Sequence, residues 1–155
     1  MSRIVVGVDG SDESAKALAW AIEESGFRDV PLDVVYAYDF TPEWQKYAGS
    51  GAIEGLAFDN SRQVRNEEDE ARQHGEALIK EMIDSARSAD QGDLQINTIV
   101  VDHSRPAHYL VEHAANASML VVGSRGRSGL TGLVLGSVSH YCALHASCPV
   151  VIIRA

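Results

Sequence analysis

The chain has 155 residues and a mass of 16.7 kDa, room for one ordinary domain with a sizeable core. Its 45% hydrophobic and 23% charged content is that of an average globular protein. A formal charge of −9 excludes a general nucleic-acid or membrane-surface binder, since phosphate surfaces are met by clustered Lys and Arg, and no apolar run approaches the roughly 20 residues of a membrane span.

Arg3 to Val8 reads as a first strand, and Ser11 or Asp12 can cap the helix that follows. That helix shows Ala15, Leu18, Ala19 and Ile22 at helical spacing as its inward face. Leu32 to Tyr38 is the second strand, entered after Pro31. Residues 40 to 60 combine Pro42 with glycines and serines at Gly49 to Gly51 and Gly55, the composition of a mobile excursion. Glu67 to about Arg87 is a long amphipathic helix, with Ala71, Gly75, Leu78, Ile79, Met82, Ile83 and Ala86 on one stripe. The acids Glu67 to Glu70 read as a solvated run at its start, where they suit the helix dipole.

Leu94 to Val101 is a third strand, and Pro106 introduces a helix over Ala107 to Asn116. Met119 to Val122 forms the fourth strand, Ser137 to about His145 the last helix, and Val150 to Ile153 the fifth strand. Strands alternating with helices predict an α/β fold in a single domain over residues 1–155. Its core is a five-stranded parallel doubly wound sheet flanked by four helices, Rossmann-like in topology. Ligands of such sheets bind beyond the carboxyl ends of the strands, where Asp9, the region of Ala37 and the loop at Gly123 all fall.

The run Gly123-Ser124-Arg125-Gly126 leaves a buried strand, and Gly136-Ser137 opens a helix nine residues later. Glycines permit positive φ and close approach of a ligand to backbone amides, and a helix N-terminus presents unpaired N–H groups to an anion. Arg125 and Arg127 can add charge-assisted contacts or point to solvent, and Arg105 is the third cation of this region. Asp9 by itself reads as a cap or loop acid, but facing a phosphate cradle it suits Mg²⁺, which takes carboxylate and phosphate oxygens together. The pattern is that of a polyphosphate cradle.

Gly123-x-x-Gly126, nine residues, then Gly136-Ser137 resembles the nucleotide-binding signature of the universal stress protein family. Ile4 to Ser11 resembles the family's first strand and aspartate, and Cys148 to Ile153 its last strand. The resemblance implies ATP with Mg²⁺ as ligand, Asp9 beside nucleotide and metal, and Gly123 and Gly126 on the ribose and α-phosphate side. It further implies that Ser137, Val138 and Ser139 meet the outer phosphates, and that Ala37 reads the base through its backbone. Val8, Tyr36 to Tyr38 and Val122 would wall the adenine, apolar surfaces with a few backbone bonds being usual in such pockets. Where many relatives carry a glycine, this chain has Asp102-His103-Ser104-Arg105-Pro106, which could crowd the ribose side or give His103 or Arg105 a ligand contact.

Other chemistry is weakly signalled. His108 and His113, like His140 and His145, are five apart, off the i, i+4 alignment of helical metal pairs. Cys142 and Cys148 are too few for a disulfide framework, and with no secretory pattern at the start the expected compartment is the cytoplasm. Cys142 reads as a small buried residue, and nothing near Cys148 in sequence activates it. No base and nucleophile pair is evident, and the His-x-Gly-His signature of related adenylyl-transferring enzymes is absent. The expected protein therefore acts by binding state, with slow or no turnover. A dimeric module with a vestigial or AMP-binding site, and a weak ATPase, are the alternatives. The apolar run Val150 to Ile153 would leave an open sheet edge, so a homodimer through that strand is expected.

Overall fold

The computed structural model describes residues 2–40, 61–88, 92–126 and 135–154. In chain order the elements are β1 (Ile4–Val8), α1 (Asp12–Arg28), β2 (Leu32–Tyr38), α2 (Ser61–Ala86), β3 (Ile96–Asp102), α3 (Pro106–His113), β4 (Met119–Gly123), α4 (Ser137–His145) and β5 (Val150–Ile153). The excursion expected over residues 40 to 60 lies, beyond Phe40, outside the described residues.

The five strands form one parallel sheet in the order β3-β2-β1-β4-β5. Its strands are near-continuous apolar runs because both faces are covered. On one face Val6, Val34 and Val121 pack with Leu18 and Ile22 of α1 and Ile79 of α2. On the other, Val5, Val35, Leu120 and Val122 pack with Leu110 and Ala114 of α3 and Cys142 of α4. The chain leaves β1 toward β2 on one side and returns to β4 on the other. The crevice between β1 and β4 is therefore the switch point at which such sheets bind ligands.

Several sequence expectations need adjustment. The buried face of α1 is Ser14, Ala17, Leu18, Ala21, Ile22 and Ser25, so Ala15 is exposed and Ala19 only half-buried. Alanine is compatible with either environment, and the small Ser14 and Ser25 are buried. Helix α2 begins at Ser61, so Glu67 to Glu70 do not occupy its first turn; its dipole does not explain them, and exposure does. Its stripe is as expected, with Gly75 and Ile79 buried. A Cβ on Gly75 would meet the Tyr36 ring at 2.8 Å, so the missing side chain is what seats that ring.

At the amino ends of the strands a polar cluster with no counterpart among the sequence expectations gathers around the buried Asp33. Asp33 of β2, only 6% exposed, has Oδ2 2.9 Å from Arg3 Nε and 2.9 Å from His113 Nε2, while Oδ1 accepts a 2.8 Å bond from Asn97 Nδ2. Arg3 also donates to the His113 carbonyl at 2.7 Å, fastening the end of α3 to β1. Burial raises the pKa of both thiols, that of Cys142 to about 11 with Cys148 adding to the effect, so neither is an activated thiolate. No helix among the described residues is long and apolar enough to cross a membrane.

Candidate functional site

A cavity of about 300 Å³ opens at the carboxyl ends of β1 and β4, between α3 and the start of α4. Val8, Asp9, Ala37, Gly123, Arg125, Gly126, Gly136, Ser137, Val138 and Ser139 all line it. Of the residues singled out from the sequence, Arg127 lies outside the described residues. The ends of β1 and β2, the loop after β4 and the start of α4 thus meet on one crevice.

Asp9 follows β1 and is held on both sides of its α-carbon. Its Oδ1 accepts bonds from the Ser11 N–H at 2.9 Å and from the Ser11 hydroxyl. Its own N–H donates to Ser14 Oγ at 3.3 Å. Ser11 is the N-cap of α1, its Oγ accepting from the Ser14 N–H at 3.2 Å.

Opposite lies the glycine loop. A Cβ on Gly126 would sit 2.6 Å from Asp9 Oδ2, nearer than any real Cβ contact. The loop glycines therefore serve close approach and not positive φ: among the described glycines that conformation occurs at Gly10 and Gly92, and Gly136 has φ −74°. Gly123 is pressed against the backbone of Glu13, 3.0 Å from its missing Cβ, which brings the start of α1 onto the end of β4.

Helix α4 starts at the cavity with Gly136 as a cap that has no side chain to offer. Its first intrahelical bond is His140 N–H to the Gly136 carbonyl, so the amides of Ser137, Val138 and Ser139 precede the helix ladder. Those donors and the positive dipole end suit an anion. The Ser139 hydroxyl is turned away, donating to the Ser124 carbonyl at 2.8 Å in a buried position. Ser139 can therefore offer an anion only its amide. The Ser124 carbonyl also accepts from Gly136 N–H at 2.7 Å, clamping loop to helix.

Of the residues expected to wall a base, only some reach the cavity. Strand alternation sends Val35 and Ala37 to the cavity, whereas Tyr36 and Tyr38 go to the opposite face, where their rings stack at 6.2 Å. Gly7, Ser14, Val35, Pro106 and Leu110 are lining residues the sequence reading missed. Val35 could have been found from Ala37 by period-2 spacing, and Gly7 as a glycine inside a strand. A Cβ there would meet Leu110 Cδ1 at 2.7 Å.

His103 and Arg105 do not line the cavity. The His103 Nδ1 accepts from the Arg105 N–H at 3.1 Å, its ring packs on Tyr109, and Asp102 Oδ1 accepts from the Phe40 N–H at 2.9 Å. Local bonds occupy the segment, and Pro106 is the part of it that reaches the cavity.

Mg²⁺ fits this donor set in one way. Among the described residues no group of three or more His, Cys, Asp or Glu is placed to hold a metal, so the protein alone makes no cage. Asp9 offers one carboxylate, and the remaining oxygens would come from phosphate and water, as is usual for Mg²⁺.

The universal stress protein family model matches residues 1–154. The chain belongs to the universal stress protein family. It is similar to the universal stress protein YxiE of Bacillus subtilis, 30% identical over 155 residues that cover 99% of each chain. It is also 33% identical to the universal stress protein Rv2005c of Mycobacterium tuberculosis, over 97% of this chain and 45% of that one, so it spans about half of that relative. Among solved structures, a universal stress protein in complex with cAMP matches with a TM-score of 0.67 at 26% identity, covering 99% of this chain and 96% of the other. The doubly wound sheet and crevice described above are thus those of a universal stress protein domain.

Proposed function

We propose that this chain is a single-domain cytoplasmic protein that binds an adenine nucleotide, ATP with Mg²⁺, and acts through its ligand state. The observation that carries the reading is the convergence of Asp9, the close-packed Gly126 and the open start of α4 on one cavity. In this reading Val8, Val35, Ala37 and Val122 enclose the base, and the backbone edge of Ala37 reads it. The amides at Ser137, Val138 and Ser139 take phosphate oxygens, and Arg125 adds charge. Asp9 shares Mg²⁺ with the phosphates, where the ion would neutralise charge between them. Arg127 remains a proposed phosphate contact on the signature alone. Nucleic acid and membrane are not proposed partners, given the net charge of −9.

Asp9 and Arg125 supply the charge among the described lining residues. Turnover is expected to stay far below the roughly 1–1000 per second of ordinary enzymes. The similar protein solved with cAMP favours a second reading, in which a monophosphate is the resident ligand. Denaturing the purified protein and chromatographing the supernatant separates the two: ATP or ADP supports the first, AMP or cAMP the second. Purified protein that carries no nucleotide and binds none on titration would refute both.

We further propose a homodimer. Strand β5 pairs with β4 on one side, and Val150–Ile153 are all half-buried at the sheet edge. Antiparallel pairing of β5 with its copy about a two-fold axis would satisfy the outer backbone groups. Light scattering should give about twice 16.7 kDa. The Pro149 and Ile153 carbonyls accept from Leu120 and Ser124 on the β4 side, so the backbone N–H of the alternate residue Ile152 faces outward, and Ile152→Pro should lower that mass by removing an edge donor. A mass of 16.7 kDa for the unmutated chain at micromolar concentration would rule the dimer out.

A further inference from the structure

We propose that Ser139 is a positioning residue for the phosphate end of the cavity, its buried hydroxyl holding the glycine loop onto the start of α4. The inference rests on the nucleotide reading given above and concerns a side chain that acts through the backbone around it.

Ser139 is 1% exposed and occupies the third position of α4. A Glu or Gln at that position commonly reaches back to accept the N-cap N–H. Ser139 donates instead, its single proton shared between the Ser124 carbonyl at 2.8 Å and the Gly136 carbonyl at 3.0 Å. Neither carbonyl depends on it. The Ser124 oxygen already accepts from the Gly136 N–H at 2.7 Å, and the Gly136 oxygen from the His140 N–H at 2.9 Å. The hydroxyl is thus a second fastener between two segments and not the sole partner of a buried group. What it fastens is the front of the loop. Ser124, itself buried, is anchored from behind by its N–H on the Ile153 carbonyl at 2.8 Å. Beyond it the loop backbone runs against Gly136, whose missing Cβ would lie 3.3 Å from Arg125 Cα and 3.6 Å from Gly126 N.

The donors proposed above for phosphate are divided between these two segments. The amides of Ser137, Val138 and Ser139 belong to α4, while Arg125 and Gly126 belong to the loop. A chain of phosphates that touches both requires them at one fixed spacing. With the hydroxyl in place that spacing exists before the ligand arrives. Without it, binding must also order the loop, and that cost is subtracted from affinity. The base meets Val8, Val35 and Ala37 on β1 and β2, outside the fastened segments, so the cost falls on phosphate binding.

The test is titration calorimetry of the full chain with Mg·ATP and with adenosine, the latter by competition against Mg·ATP. The readout is the ratio of the two dissociation constants, which a uniform loss of folded protein leaves unchanged. Ser139→Ala should keep the adenosine affinity and weaken Mg·ATP about fivefold, the order of one net intramolecular hydrogen bond. Ser139→Thr keeps the donor and should keep the parent ratio. A ratio unmoved in Ser139→Ala, whether or not both affinities fall, would reduce the hydroxyl to ordinary packing. It would overturn the proposal and leave the nucleotide reading intact. A fall in Ser139→Thr as large as in Ser139→Ala would assign the effect to volume and not to the donor, and would overturn it equally. A parent that binds adenosine as tightly as Mg·ATP would remove the phosphate cradle itself. One that binds neither would remove the nucleotide reading, and the role of Ser139 falls with either.

Discussion

Replacing Gly126 by alanine is expected to weaken Mg·ATP binding by at least about tenfold while leaving the fold in place. The new Cβ would lie 2.6 Å from Asp9 Oδ2, and that carboxylate cannot simply rotate aside, because Ser11 holds its other oxygen by two bonds. Either the loop lifts from Asp9 or Asp9 leaves its clamp, and both separate the metal ligand from the phosphate amides. A hydrogen bond to a charged group contributes roughly 1.5–3 kcal/mol, and about 1.4 kcal/mol is tenfold in affinity. Valine should go further, since its branches have the same carboxylate to displace. Calorimetric titration with Mg·ATP reads the affinity, and a thermal melt confirms that the loop and not the core has changed. If Gly126→Val bound Mg·ATP as tightly as the parent, the cradle would be misplaced.

The second large effect concerns stability. Asp33→Ala should cost about 3 kcal/mol, the low end of the loss when one member of a buried ion pair is removed, because the side chains of Arg3 and His113 keep 30% and 24% exposure. The carboxylate answers Arg3, His113 and Asn97 together, and its loss leaves all three facing an empty site at the amino end of the sheet. For a domain of this length each kcal/mol moves the melting temperature by roughly 2–4 °C, so a drop of about 10 °C is expected. Asp33→Asn, which keeps shape and one acceptor, should lose less. Nucleotide affinity of the folded fraction should change little, because the cluster lies at the strand ends opposite the cavity. A melting temperature unchanged in Asp33→Ala would show that the cluster adds nothing to the fold.

Both variants bear on how far the residues themselves announced this molecule. Gly126 stood out in the sequence because its spacing to Gly123 and Gly136-Ser137 is a local pattern, legible without coordinates. Of its two expected reasons, positive φ does not apply and close approach does. What comes close was not legible: the carboxylate of a residue more than a hundred positions away excludes the side chain. Asp33 did not stand out at all. An acid in an apolar strand carries no periodic signal, and its partners come from three other segments.

The same division runs through the fold and the candidate site. Apolar runs alternating with amphipathic helices sufficed for the five parallel strands and four helices of the described residues and for an α/β class, because strand and helix periodicities are properties of neighbouring residues. Ser11 as a cap and α4 beginning after Gly136 were likewise local. The strand order, and with it the switch point between β1 and β4, was not. The sides to which Ala37 and Tyr36 point, the turning of the Ser139 hydroxyl to Ser124, and the entry of Gly7, Pro106 and Leu110 into the cavity wall came only with tertiary packing. Hydrogen bonds and contacts between distant segments depend on which strands become neighbours, and a linear pattern carries no term for that choice. The sequence by itself determined the elements and a phosphate-binding motif; the tertiary structure decided which residues face one another across the crevice, because facing is a relation between segments and not a property of either one.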